Sequence, residues 1–285
     1  MIYYKELEMK NTVVTFREAK GQGKLVVLTA YDYSTARVMD AAGVNALLVG
    51  DSLGMVMLGH EDTLGVTVDD MVRHCGAVAR GAEQALVICD MPYMSYHTGV
   101  DAAVRNAGRL VTEGRAQAVK LEGGAEFCDE VRAIVRASIP VMGHLGLTPQ
   151  SVNALGGFKM QGKTPAAAQK LLDDARALQD AGAFALVLEC VPAPLAARVT
   201  KELAIPVIGI GAGADCDGQV LVWQDMAGLN ARPLPRFVKY FGSVDMALRD
   251  AIEAYTREVR VGAFPGEEHC YPLPEGMEKA LKKLK

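Results

Sequence analysis

Eight short apolar runs, most of them followed by a stretch of helical periodicity, constrain this chain more than any other feature. The runs are Leu25–Thr29, Ala46–Val49, Leu86–Cys89, Ala118–Leu121, Pro140–Gly143, Ala185–Leu188, Pro206–Gly209 and Gln219–Trp223. They are almost continuously apolar rather than alternating, as strands buried on both faces must be. Between them lie helices with legible ends. One opens at Thr164-Pro165, a capping residue followed by proline at the first helical position. Ala168, Leu171, Leu172 and Ala175 then fall on one helical face, and Gly182 marks the stop. Another runs from Ser34 to Gly43. Strands alternating with helices predict parallel βα units, and eight of them close a barrel.

The fold expected is therefore α/β, a (β/α)8 TIM barrel in a single domain spanning 1–285. Residues 1–23 and the Pro- and Gly-containing region 262–285 are expected outside the barrel core. An open doubly wound sheet is the alternative, because the eighth strand is the hardest to separate from a helix.

Composition removes several function classes. The net charge is −4, and the basic residues cluster only at Lys282, Lys283 and Lys285. That is a solvated tail, not a nucleic-acid footprint. The six cysteines are scattered, without a Cys-x-x-Cys pair, so free buried thiols are expected rather than a zinc site or a disulfide framework. The first residues lack the apolar run of a signal peptide. No segment reaches 18 uninterrupted apolar residues, so a membrane span is not expected. On these readings the cytoplasm is the expected location.

The polar residues fall at particular places. Strand two runs into Asp51-Ser52, strand three into Asp90, and strand four holds Lys120 and ends at Glu122. Strand five runs into His144, strand six into Glu189. Five successive strands thus deliver an ionisable group at their C-terminal ends, where barrel enzymes build their sites. Each has a plainer reading. Asp51 or Asp90 could cap a helix. His144 could be a hydrogen-bonded structural residue. Lys120 and Glu122, on one strand face, could pair with each other. Glu189 is harder to explain structurally, because burying an unpaired charge is costly. Gly211-Ala212-Gly213 could cradle a phosphate or simply turn tightly. Asp51, Asp90 and Glu122 are hard oxygen donors with no paired His or Cys beside them, which suits Mg²⁺. Beside Lys120 and His144 they would suit an anionic chelating ligand such as a 2-oxo acid.

Seven stretches carry a resemblance: VGDSLGM, DMPYMSY, VKLEGG, GHLGLTPQSV, LVLECVP, PVIGIGAG and FPGEEHCY. In this order and spacing, from about Thr12 to Tyr271, they resemble the 3-methyl-2-oxobutanoate hydroxymethyltransferase (ketopantoate hydroxymethyltransferase) family of pantothenate biosynthesis. The resemblance implies a barrel of the phosphoenolpyruvate/pyruvate type. It implies transfer of a one-carbon unit from 5,10-methylenetetrahydrofolate to 3-methyl-2-oxobutanoate, giving 2-dehydropantoate and tetrahydrofolate. Asp51 and Asp90 match positions that hold Mg²⁺, with Glu122 close to the metal through water. Ser52, Lys120 and His144 match substrate-contacting positions, as do Asp51 and Asp90, and Glu189 matches the catalytic base. A homo-oligomer, often a decamer, is implied as well. The competing reading within the same barrel group is a Mg²⁺-dependent lyase of 2-oxo or 2-hydroxy acids. The Lys-Lys-Cys-Gly-His loop of the isocitrate-lyase type is missing here, which counts against it. A non-catalytic 2-oxo acid binder and a flavin or sugar-phosphate barrel are further alternatives.

Overall fold

The computed structural model describes residues 10–230 and 234–284. Within it a closed barrel of eight parallel strands runs β1 to β8 in chain order. The strands are β1 (Leu25–Thr29), β2 (Ala46–Val49), β3 (Leu86–Asp90), β4 (Ala118–Glu122), β5 (Val141–Gly146), β6 (Ala185–Glu189), β7 (Val207–Ile210) and β8 (Gly218–Leu221). Closure by β1 against β8 excludes the open doubly wound sheet. The helices are α1 (Val13–Glu18), α2 (Tyr33–Ala41), α3 (Leu53–Val56), α4 (Val68–Gly81), α5 (Val100–Thr112), α6 (Cys128–Arg136), α7 (Val152–Leu155), α8 (Pro165–Asp180), α9 (Ala193–Glu202), α10 (Trp223–Ala227), α11 (Val244–Val261) and α12 (Met277–Leu281). Trp223, expected in the last strand, begins α10 instead. None of the described helices is long and apolar enough to cross a membrane.

Local chemistry sets the helix starts. Thr164 caps α8, accepting from the Ala167 N–H, with Pro165 next. Thr67 and Asp70 form a reciprocal capping box on α4, satisfying donors that the first turn would otherwise leave open.

Because strand side chains alternate, the barrel has two apolar layers. Leu47, Val49, Val87, Cys89, Val119, Leu121, Leu186 and Leu188 point outward and pack against the helices. Leu25, Val27, Ala46, Leu48, Leu86, Ile88, Ala118, Met142, Ala185, Val187, Ile208 and Val220 fill the interior. The segment ahead of β1, expected to lie outside the barrel core, contributes to it. Phe16 of α1 is buried in that interior cluster, its ring 5.9 Å from Phe184 in an edge-on contact. A large aromatic ring gains more by filling the open N-terminal end of the barrel than by staying in water. Lys20 ties the same segment down by donating to the Thr200 carbonyl and to Asp217.

Four cysteines are buried free thiols as expected, but Cys190 is half-buried and Cys270 is exposed. Cys190 follows Glu189 at the barrel mouth, and Cys270 sits in the C-terminal extension, where little covers it. That extension carries α12, and Lys282 and Lys283 beyond it are exposed. Lys285 and residues 1–9 lie outside the described residues.

Candidate active site

The inward-facing columns of β3 to β6 are apolar below and polar at the top. Leu86 and Ile88 lead up to Asp90, Ala118 to Lys120 and Glu122, Met142 to His144, and Ala185 and Val187 to Glu189. The strands run one to three residues further than their apolar runs alone suggest, so these groups sit within strand ends rather than after them. Strand register then brings them side by side. Asp90 is the cross-strand partner of Lys120, and Glu122 is the partner of His144.

All seven residues expected at the site line one cavity of about 1250 Å³: Asp51, Ser52, Asp90, Lys120, Glu122, His144 and Glu189. Asp51, Asp90, Lys120, Glu122 and His144 are each no more than 3% exposed. Lys120 Nζ donates to Asp90 Oδ1 at 2.5 Å. The lysine therefore pairs sideways with the neighbouring strand, not with Glu122 on its own strand. Asp90 Oδ2 accepts from the Asp51 N–H at 3.1 Å, so Asp90 is not a helix cap but a link between the β2 and β4 ends. Ser52 Oγ lies 2.9 Å from the Tyr31 hydroxyl. Gly50 makes room for this arrangement: a Cβ there would stand 2.8 Å from Ser52 Oγ.

His144 lies between two carboxylates. Its Nδ1 is 3.4 Å from Glu122 Oε1 and its Nε2 is 3.3 Å from Glu189 Oε2. Neither contact has hydrogen-bond geometry, so the ring is held by proximity of charge. Burial and Lys120 push the imidazole's pKa down, yet the two glutamates outweigh them and raise it to about 9. Burial likewise raises the Glu122 carboxyl, but His144 and Lys120 hold it below its ordinary value. Asp51 is the strained member. Burial, Asp90 and Glu122 together push its carboxyl well above the usual range, against Lys120 and Gln150.

Gln150, Tyr96 and Tyr31 complete the site and were not singled out from the sequence. Gln150 Nε2 donates to Asp51 Oδ2 (2.8 Å) and to the Met91 carbonyl (3.0 Å), while its N–H donates to Glu122 Oε2 (3.0 Å). The Tyr96 hydroxyl has Gln150 Oε1 (2.8 Å) and the Glu122 carbonyl (3.0 Å) within reach of its proton, and it accepts from the Glu122 N–H. Gln150 and Tyr96 lie inside GHLGLTPQSV and DMPYMSY, the one signal that could have found them.

Asp51 and Asp90 fit a hard divalent cation. Their oxygens are buried and clustered, Asp90 is paired with Lys120, and among the described residues Asp51 Oδ1 receives no hydrogen bond. No three described carboxylate, imidazole or thiol groups converge closely enough to cage a metal unaided. Mg²⁺ takes one or two carboxylates and keeps positions for water or substrate, so a pair of this kind would be enough to hold it. Both Glu122 oxygens are already engaged, by Gln150 and His144. The Gly211-Ala212-Gly213 stretch resolves as a tight turn: Gly211 has φ +64°, and a Cβ there would meet the Phe237 ring at 2.8 Å.

Comparison with known proteins settles the family. The ketopantoate hydroxymethyltransferase profile matches residues 10–267. The chain belongs to the ketopantoate hydroxymethyltransferase family. Relatives named 3-methyl-2-oxobutanoate hydroxymethyltransferase include one from Clostridium novyi, 58% identical over 270 residues, covering 94% of this chain and 98% of the relative. One from Enterococcus faecalis is 58% identical over 274 residues, covering 96% and 100%. The ketopantoate hydroxymethyltransferase family is one of enzymes, and this chain is an enzyme of it. Solved structures agree on the barrel. The chain matches 2,3-dimethylmalate lyase, a PEP mutase/isocitrate lyase superfamily member, with TM-score 0.57 and 19% identity over 93% of both chains. It matches phosphonopyruvate hydrolase in complex with oxalate and Mg²⁺ with TM-score 0.59 and 13% identity over 92% and 93%. At those identities the likeness is one of fold.

Proposed function

We propose that this enzyme transfers a hydroxymethyl group from 5,10-methylenetetrahydrofolate to 3-methyl-2-oxobutanoate, giving 2-dehydropantoate and tetrahydrofolate. The observation that carries this reading is Glu189 at the top of β6, linked through His144 to Glu122, in the same cavity as Asp51 and Asp90. A base and a hard-cation site thus face one space, in a chain of this family.

The roles follow from position. Ser52, oriented by Tyr31, binds the substrate carboxylate, with Lys120 and His144 adding positive charge. Asp51 and Asp90 hold Mg²⁺, with Glu122 reaching it through water. When bound, the ion supplies Lewis-acid polarisation of the keto oxygen. Glu189 accepts the proton from the carbon beside the keto group. That carbon's electron pair forms the new carbon–carbon bond to the one-carbon unit, and water supplies the hydroxyl oxygen as tetrahydrofolate leaves. General-base help of this kind is worth roughly 10²–10⁴ in rate.

The chain works as a homo-oligomer, a decamer in our reading, in the cytoplasm. What supports assembly is α11: Val244, Leu248, Ile252, Tyr255 and Val259 fall on one face and are all at least 40% exposed. An apolar stripe of this length is a contact surface. No nucleic acid or membrane partner is proposed.

The test is incubation of purified protein with Mg²⁺, 3-methyl-2-oxobutanoate and 5,10-methylenetetrahydrofolate, with mass detection of the product. Donor-dependent 2-dehydropantoate is the expected result. Its absence from active, folded protein refutes the assignment, and cleavage of a 2-hydroxy acid without the donor establishes the lyase reading instead.

A further inference from the structure

The cavity holds more than the oxo-acid site uses. Its volume, about 1250 Å³, exceeds the roughly 300–1,000 Å³ typical of sites for drug-sized ligands. A branched acid of five carbons fills a small part of that. The remainder is walled by residues beyond the strand ends, among them Val56, Leu229 and Phe237. Two further carboxylates line it, Asp245 and Asp225, together with Arg236 and Arg249; Asp225 stands in the first turn of α10 after β8. None of the sequence motifs drew attention to it.

Asp225 has the features of a recognition group rather than a structural one. It lines the same cavity as Glu189 and Asp51, and no described cation pairs with it. Its described hydrogen-bond donor is Asn230, whose Nδ2 donates to Oδ1. Its place is next to the reaction centre, since Tyr31 lies within electrostatic reach of both Asp90 and Asp225, and Tyr31 touches Ser52. Burial raises the Asp225 carboxyl, opposed only by Asn230, so the ionised form is short of donors. A carboxylate can take two parallel N–H donors at once, and flat rings lie well against apolar walls.

We infer that this outer chamber seats the flat, nitrogen-rich ring of the one-carbon donor, with the Asp225 carboxylate receiving two adjacent N–H groups on the ring's edge. The inference rests on the donor named under the proposed function and goes further by placing it. It puts the ring above the oxo acid, between the acid and the cavity opening, with Val56, Leu229 and Phe237 against its faces.

Two measurements on the full-length enzyme test it. In calorimetric titrations, tetrahydrofolate and a tetrahydropterin lacking the benzoyl-glutamate tail both bind the native enzyme. Asp225→Asn, which replaces one acceptor oxygen by a donor, weakens both at least tenfold. Deuterium exchange on the native enzyme needs no variant: tetrahydrofolate protects the amides of 223–229. Equal affinity for the variant, or no protection of that segment while the ligand is bound, overturns the placement and leaves the donor assignment standing. A native enzyme that binds no tetrahydrofolate overturns the donor assignment and the placement with it.

Discussion

Gln150 and Asp51, 99 positions apart, are joined across the barrel mouth by a 2.8 Å hydrogen bond. The same amide reaches the Met91 carbonyl, and its own N–H reaches Glu122. One uncharged residue, through its side chain and its backbone N–H, therefore ties the ends of β2, β3 and β4 together. Gln150→Leu keeps much of the volume but takes the donor away from Asp51 Oδ2 and the Met91 carbonyl. Leaving buried polar groups unpaired costs about 1–3 kcal/mol. Urea denaturation should show a loss of that size, and kcat/KM should fall with it. A variant as stable and active as the native enzyme removes Gln150 from this bracing role.

Glu189→Gln isolates the proposed base. The amide is close in shape but cannot accept a proton from carbon. Binding of 3-methyl-2-oxobutanoate should persist, while wash-out of the hydrogen beside the keto group into deuterated water should fall by about 10²–10⁴-fold. Proton NMR follows the exchange directly. Exchange at the native rate would assign the base to another group.

Asp90→Asn tests the cation site and the buried ion pair together. The substitution leaves Lys120 buried without its counter-charge, and breaking such a pair costs about 3–5 kcal/mol. Thermal unfolding should report the loss. Calorimetry on the folded fraction should show weakened Mg²⁺ binding. Unchanged metal affinity in a folded variant would count against Asp90 as a ligand.

His97 supplies a pH prediction. Burial lowers its imidazole below the ordinary 6.5, with Glu122 and Glu130 opposing. It sits against Tyr93, Tyr96 and Phe127, and its buried Nδ1 has no described partner. The unfolded chain therefore binds the proton more readily than the folded one. Its contribution to stability is intact above pH 6.5 and declines as pH falls through the lower, folded value. His97→Phe should flatten the acid side of the stability profile measured in urea. An NMR titration placing His97 above 6.5 would reverse the sign of the effect.

The barrel was legible because its signal is repeated. Apolar runs such as Leu186–Leu188 leave no doubt about burial, and eight of them alternating with helices admit few topologies. The strand ends were less legible. Glu122 and Glu189 belong to β4 and β6, yet charge at a strand end looks like loop when read along the chain. The charged site residues stood out because a buried charge is expensive, and all seven expected residues do share one cavity. Gln150, Tyr96 and Tyr31 carry no charge and act through contacts made only on folding, so apart from the motifs that contain Gln150 and Tyr96 the chain gives no local sign of them. Asp225 was hidden for another reason. Its strand, β8, is four residues long with Gln219 exposed, a weak pattern that drew no attention to the helix after it. Cross-strand pairing was also out of reach: that Lys120 meets Asp90 rather than Glu122 depends on register, which no spacing along one strand encodes.

Phe16 wedged against Phe184 shuts the far end of the barrel, and this has a consequence for traffic. A vessel stoppered at its base fills and empties through its neck. Whatever rests on the floor beside Asp51 and Glu189 has to enter first and depart last, and a bulkier guest above it becomes a cork. On the proposed reaction, the oxo acid would enter before its bulkier partner and leave after it, whatever their relative affinities.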